Sequence, residues 1–158
     1  MFGLFESPPF GDPDLGEMRR SRGKWRGSYD LVEGKKIALV LSGSRAGPDP
    51  VALRIARSLR MEYPAWRPAI ERGLFEHFEP YGEAVAAGDL PRPVGFPTIA
   101  TQPDVWRYST FQYILVAPLR GSLTVEFGVT VAWDEEHTLG ARFRDGAFLE
   151  LNGSVLPP

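Results

Sequence analysis

The sequence predicts an α+β fold: an antiparallel sheet with an N-terminal hairpin, two helices on one face and a C-terminal four-strand meander. Three observations carry this expectation. Residues 24–42 alternate with the period of strands. Helical spacing of apolar residues is confined to 50–79. From Phe111 onward every apolar run has strand character. Strands, then helices, then strands again favour helices segregated to one side of a sheet.

Residues 1–23 are rich in glycine, proline and charge, with Phe2, Leu4, Phe5, Phe10 and Leu15 among them, and are expected to form an extended arm pinned by aromatics. Lys24–Asp30 places Trp25 and Tyr29 on one side, and Ile37–Ser42 is nearly continuously apolar. With Glu33-Gly34 as the turn, the two make a hairpin. Asp49-Pro50 offers a helix cap followed by proline at the first helical position. A first helix is expected to run to about Glu62, because Pro64 disfavours helical geometry at Tyr63. Trp66, Ile70, Leu74, Phe75 and Phe78 then mark the buried face of a second helix that stops before Pro80.

Residues 82–103 read as a long loop rich in proline and glycine, a length usually tied to function or to wrapping the surface. Pro103–Trp106 suits a short helical turn. After the strand Phe111–Ala117, a regular alternation sends Leu123, Val125, Phe127, Val129, Val131 and Trp133 one way and Thr124, Glu126, Gly128 and Thr130 the other. The first set faces the core and the second an open polar face. In the last hairpin, a three-residue loop at 145–147 would put Leu139, Ala141, Phe143, Leu149 and Leu151 on one side, with Arg142 across from Glu150. No repeat or linker divides the chain, so residues 1–158 are expected to form a single domain.

Composition excludes several function classes. There are no cysteines, which removes disulfides, thiol nucleophiles and Cys-ligated metals. The formal charge is −2, so there is no global field for nucleic acid or anionic membranes. The N-terminal MFGLFESPPF lacks a cationic start and is interrupted by Glu6 and Pro8-Pro9, unlike a secretory signal. No run approaches a membrane span. A soluble, cytoplasmic protein is expected.

Chemistry concentrates at Trp133-Asp134-Glu135-Glu136-His137, where three carboxylates and one of two histidines follow a strand. Asp134, Glu136 and His137 are the catalytic candidates, as a carboxylate and imidazole that can approach across a turn. Asp134 and His137, joined by His77 if the helix end reaches this loop, are the metal candidates. The alternative is a polar turn in which Asp134 accepts backbone N–H bonds and His137 orients it, and that alternative is favoured. The D-E-E-H letters match the helicase box, but no G-x-x-x-x-G-K-[ST] accompanies them, and Ser42–Gly47 fits no phosphate-loop pattern. No cofactor is expected. Arg19 to Arg26 surrounds Trp25 with cations, Arg19 and Arg22 included, so phosphate contact with base stacking is a weaker candidate than a solvated edge strand.

The segment Trp133–Phe143, followed by Asp145-Gly146 and an apolar strand, resembles the C-terminal signature of uncharacterised bacterial families of unknown function, roughly D-E-x-H-G-[LI]-G-[VI]-x-F. Thr138 stands where that signature has glycine. The resemblance implies a small intracellular α+β protein and brings no activity with it. The favoured function is a non-enzymatic binding or protein-interaction module using loop 82–103 and the polar face around Glu126 and Thr130. The rival is a small hydrolase or metal-dependent enzyme at Asp134, Glu136 and His137. Nucleic-acid binding through 19–26 ranks third.

Overall fold

The structure, a computed structural model, describes residues 6–158. Eight strands form one sheet in chain order: β1 (Phe10–Asp12), β2 (Gly16–Ser21), β3 (Lys24–Val32), β4 (Lys35–Leu41), β5 (Ser109–Leu119), β6 (Ser122–Val131), β7 (Asp134–Arg144) and β8 (Ala147–Val155). One long helix, α1 (Pro50–Ala87), and a 3-10 helix, Gln102–Tyr108, link β4 to β5. The α+β class and the four-strand meander β5–β8 match expectation. The sheet, however, is mixed: β4 and β5 run parallel, and every other neighbouring pair is antiparallel.

From Phe10 onward the expected N-terminal arm is part of this sheet. Asp12 Oδ1 accepts the backbone N–H groups of Asp14 and Leu15 at 2.9 and 3.0 Å, closing the β1–β2 turn as an Asx motif. Leu15 and Met18 are buried behind it. Phe10 packs edge-on to Trp25, while Phe2, Leu4 and Phe5 lie outside the described residues.

The two expected helices are one helix of 38 residues with Pro64, Pro68 and Pro80 inside it. All three prolines are exposed. Leu59, Tyr63, Trp66, Ile70 and Leu74 form an unbroken buried stripe across the expected break. A proline inside a helix costs roughly 3 kcal/mol, and burying each large apolar side chain of that stripe contributes roughly 1.5–3 kcal/mol. Burial therefore decides the matter. Asp49 caps the start through Val51 and Ala52 N–H, and Gly88, at φ 79°, turns the chain out after Ala87. The loop thus spans 88–101 rather than 82–103.

The core lies between α1 and the inner sheet face. Trp66 stacks on Phe143 with centroids 4.5 Å apart, and Phe127 meets Tyr63, Trp66, Phe111 and Phe143. The last hairpin has a two-residue Asp145-Gly146 turn, with φ of 51° and 77°, not the three-residue loop expected. Arg142 still opposes Glu150, because a bulge between Arg142 and Phe143 restores the register. That bulge turns Leu149 outward, away from the expected apolar side.

Candidate functional site

Asp134 opens β7 directly after the β6–β7 turn, and its side chain is almost fully buried. His137 Nδ1 lies 2.9 Å from Oδ1 and 3.1 Å from Oδ2, the contact expected across this turn. Tyr81 Oη, from α1, donates to Oδ2 at 3.0 Å. One turn earlier on the helix, His77 puts Nε2 3.9 Å from the same oxygen. Both histidines of the chain thus converge on one carboxylate, and Tyr81 joins them because α1 continues through Pro80. Glu135 and Glu136 are exposed and take no part in the cluster.

The hydrogen bonds fix the tautomers. Trp133 Nε1–H, a donor only, donates a hydrogen bond to His77 Nδ1 at 3.0 Å, so neutral His77 carries its own proton on Nε2. An ionised Asp134 only accepts, so His137 donates from Nδ1 and its Nε2 is left free. Burial would raise the Asp134 carboxyl, but the bonds from His137 and Tyr81 outweigh it and hold the group below its ordinary value. Burial pushes the His77 imidazole down, opposed by Asp134 and reinforced by His137. Burial, then Asp134, pushes the Tyr81 phenol up. The ring nitrogens that face Asp134 present N–H groups rather than lone pairs. Among the described residues no three His, Asp or Glu side chains form a metal-ligand group.

The other sequence candidates are scattered. Glu126 is 7% exposed: Oε1 accepts Tyr113 Oη–H at 2.8 Å, and Oε2 accepts Arg142 Nε–H at 2.7 Å. The expected open polar face is therefore closed by its own side chains. The Tyr113 ring lies where a side chain on Gly128 would project, and Val155 and Glu126 fill that place over Gly140. Burial, then the Glu126 bond, raises the Tyr113 phenol far above its ordinary value. Thr130 is half-buried and accepts from Gln112 Nε2 at 2.8 Å. Arg19 is exposed and paired with Glu17, and Arg22 sits in the exposed β2–β3 turn. Trp25 is 1% exposed, with Nε1 bonded to Ser44 O, so it has no face to offer a base.

A family model described as a domain of unknown function, DUF6985, matches residues 14–154. The chain belongs to the DUF6985 family. No curated protein and no solved structure matches it. Membership brings no reaction, so the chemistry of this DUF6985 chain rests on its own surface. No helix among the described residues is long and apolar enough to cross a membrane.

Two clefts of the DUF6985 chain are built without Asp134, His77 or His137. One, about 890 Å³, is a groove between the first half of α1 and the ends of β6 and β7. Its floor includes Ile55, Trp66, Leu123, Val125 and Phe143. Met61, 87% exposed, stands on its rim. A second cleft, about 440 Å³, opens where β4 and β5 begin, under Tyr63 and Arg67 of α1. Neither was visible in the sequence, since each joins segments far apart in the chain. The Tyr81 contact had a local signal: His77 and Tyr81 stand at i, i+4 and share a helix face.

Proposed function

We propose that this chain is a non-catalytic binding module, with the Asp134 cluster serving as a clasp between α1 and the β6–β7 turn. One observation carries the proposal. Both oxygens of Asp134 are occupied by donors from within the chain, His137 and Tyr81. A carboxylate held in that way orders the elements around it. Surfaces suited to a partner lie elsewhere. Met61 and Val51 rim the apolar groove, and loop 88–101 displays Leu90 and Val94. Another protein is the partner proposed, since apolar side chains around a groove suit the buried centre of an interface.

A second proposal rests on one specific feature. Among the described residues His137 Nε2 has no partner, and its side chain is 44% exposed, while Asp134 orients the ring from Nδ1. That is the arrangement of a general base able to activate water. The two proposals separate on one measurement. Wild type, Asp134→Asn and His137→Ala are assayed against chromogenic esters and phosphate esters, and each is melted. The binding proposal expects no turnover above buffer and a lower melting temperature for Asp134→Asn. Turnover by wild type that both substitutions abolish would establish the hydrolytic alternative.

A further inference from the structure

We propose that the cleft at the start of the parallel pair β4–β5 binds a small planar aromatic anion, its ring against Trp106, Phe111 and Tyr63 and its charge at Lys35 and Arg67. This rests on the non-catalytic proposal above and gives it a ligand class. The location follows from the topology. β4 and β5 are neighbours, but the chain between them passes through α1 and the 3-10 helix, so four separate segments meet where the two strands begin.

The aromatic wall is fixed before any ligand arrives. Trp106 and Phe111 have centroids 5.9 Å apart, and Tyr63 meets Phe111 edge-on at 5.9 Å. Trp106 Nε1–H donates to Glu71 Oε2 at 2.5 Å, which sets the plane of the indole. Arg67 lies over that indole, its Cζ 4.4 Å from the ring centroid, and its Nη1 is 3.6 Å from the same Glu71 oxygen. Stacking holds the guanidinium by its face and leaves N–H groups at its edge available to a carboxylate. Glu71 orients both groups from behind and does not line the cleft.

Charge supplies the second half of the argument. Lys35, Lys36 and Arg67 line the cleft and no carboxylate does, in a chain whose formal charge is −2. Lys35 lines the cleft and shares its side of β4 with the buried Ile37. Among the described residues neither lysine has an ion-pair partner. About 440 Å³ is in the range of small-molecule sites and holds one or two fused rings. A neutral ring would leave the two lysines uncompensated, and a purely inorganic anion would leave the aromatic wall bare.

The test is isothermal titration with 2-naphthoate and with its uncharged amide. Expected is one saturable site for the acid, with the amide weaker by about tenfold, the worth of one charge-assisted contact. Lys35→Gln and Arg67→Gln should each weaken the acid by about tenfold. Arg72→Gln, which removes the same charge from an exposed position on α1 outside the cleft, should leave it unchanged. Lys35 is exposed, so its variant folds even if Arg67→Gln does not. Equal affinity for acid and amide, or wild-type affinity in Lys35→Gln, would overturn the proposal. Absence of any saturable binding would overturn it too, leaving the non-catalytic proposal in place, since that falls only on turnover requiring Asp134 or His137.

Discussion

Asp134 takes its hydrogen bonds from two different elements, so its charge is coupled to how firmly α1 sits on the β6–β7 turn. The acid limb of stability follows from the pKa shifts. Asp134 is held below its ordinary 3.8, so its contribution is complete above that value and fades as pH falls toward the folded-state pKa. His77 is held below 6.5 by burial, so the unfolded chain takes up that proton first, and stability falls as pH drops below 6.5. Denaturant melts of wild type at pH 7 and pH 5 should therefore show a loss that is smaller in His77→Gln, whose amide oxygen can still accept from Trp133. Identical losses would remove His77 as a cause. On the outer face, Gly128→Ala should destabilise by about 1–3 kcal/mol, because its methyl group meets the Tyr113 ring and displaces the phenol from Glu126. An unchanged denaturation midpoint would mean that the ring moves freely. The Asp134–His137 contact was legible from residue spacing around a turn. Burial of Glu126 was not, because alternation reports that two faces differ and leaves unstated what long side chains from neighbouring strands lay over the polar one.

At the scale of elements, α1 and the last hairpin each show a local rule outweighed by burial. Pro68 has no N–H for the carbonyl of Pro64, and its ring is exposed, so it brings the helix no packing. Pro68→Ala should stabilise by about 2 kcal/mol, the helix-interior cost of proline less its restriction of the unfolded chain. Thermal melts with matched scan rates check this, and a lower melting temperature would mean that Pro68 makes a stabilising contact. The same balance explains why the helix continues through Pro64. Proline reports a local preference, while the stripe from Leu59 to Leu74 acts through the sheet beneath it. In the β7–β8 hairpin both turn residues have positive φ, the two-residue geometry suited to Asp-Gly. Asp145→Val should cost about 1–2 kcal/mol, while Asp145→Asn should be near neutral in the same melts. The Arg142–Glu150 pairing was legible because it aligns charges and apolar residues together. The bulge at Leu149 was not, since a three-residue loop and a tight turn plus bulge satisfy the same pairing.

Across the whole molecule the continuity of α1 through Pro64 governs strand direction. Two short antiparallel helices would return the chain to the end of the sheet that it left, allowing β5 to run antiparallel to β4. A single helix, roughly 57 Å long, carries the chain past the opposite end, and β5 must then run parallel to β4. Polar side chains fasten this helix near both of its ends. Near its start, Arg57 pairs with the buried Asp12, and Arg60 Nε donates to Asp30 O at 2.8 Å. Near its end, His77 and Tyr81 take hold of Trp133 and Asp134. The fastenings lie more than four turns apart, so loosening one should leave the other intact. Asp134→Asn should therefore raise amide hydrogen exchange in residues 79–87 while Leu53–Leu59 exchanges as in wild type. Residues 79–87 lie beyond the last fully buried aromatic of the helix, Phe78, so little apolar burial would replace the lost clasp. A uniform rise along the helix would show that Asp134 supports global stability alone. No rise anywhere would show that the aromatic core fixes the helix without the clasp, and would return Asp134 and His137 to the hydrolytic alternative.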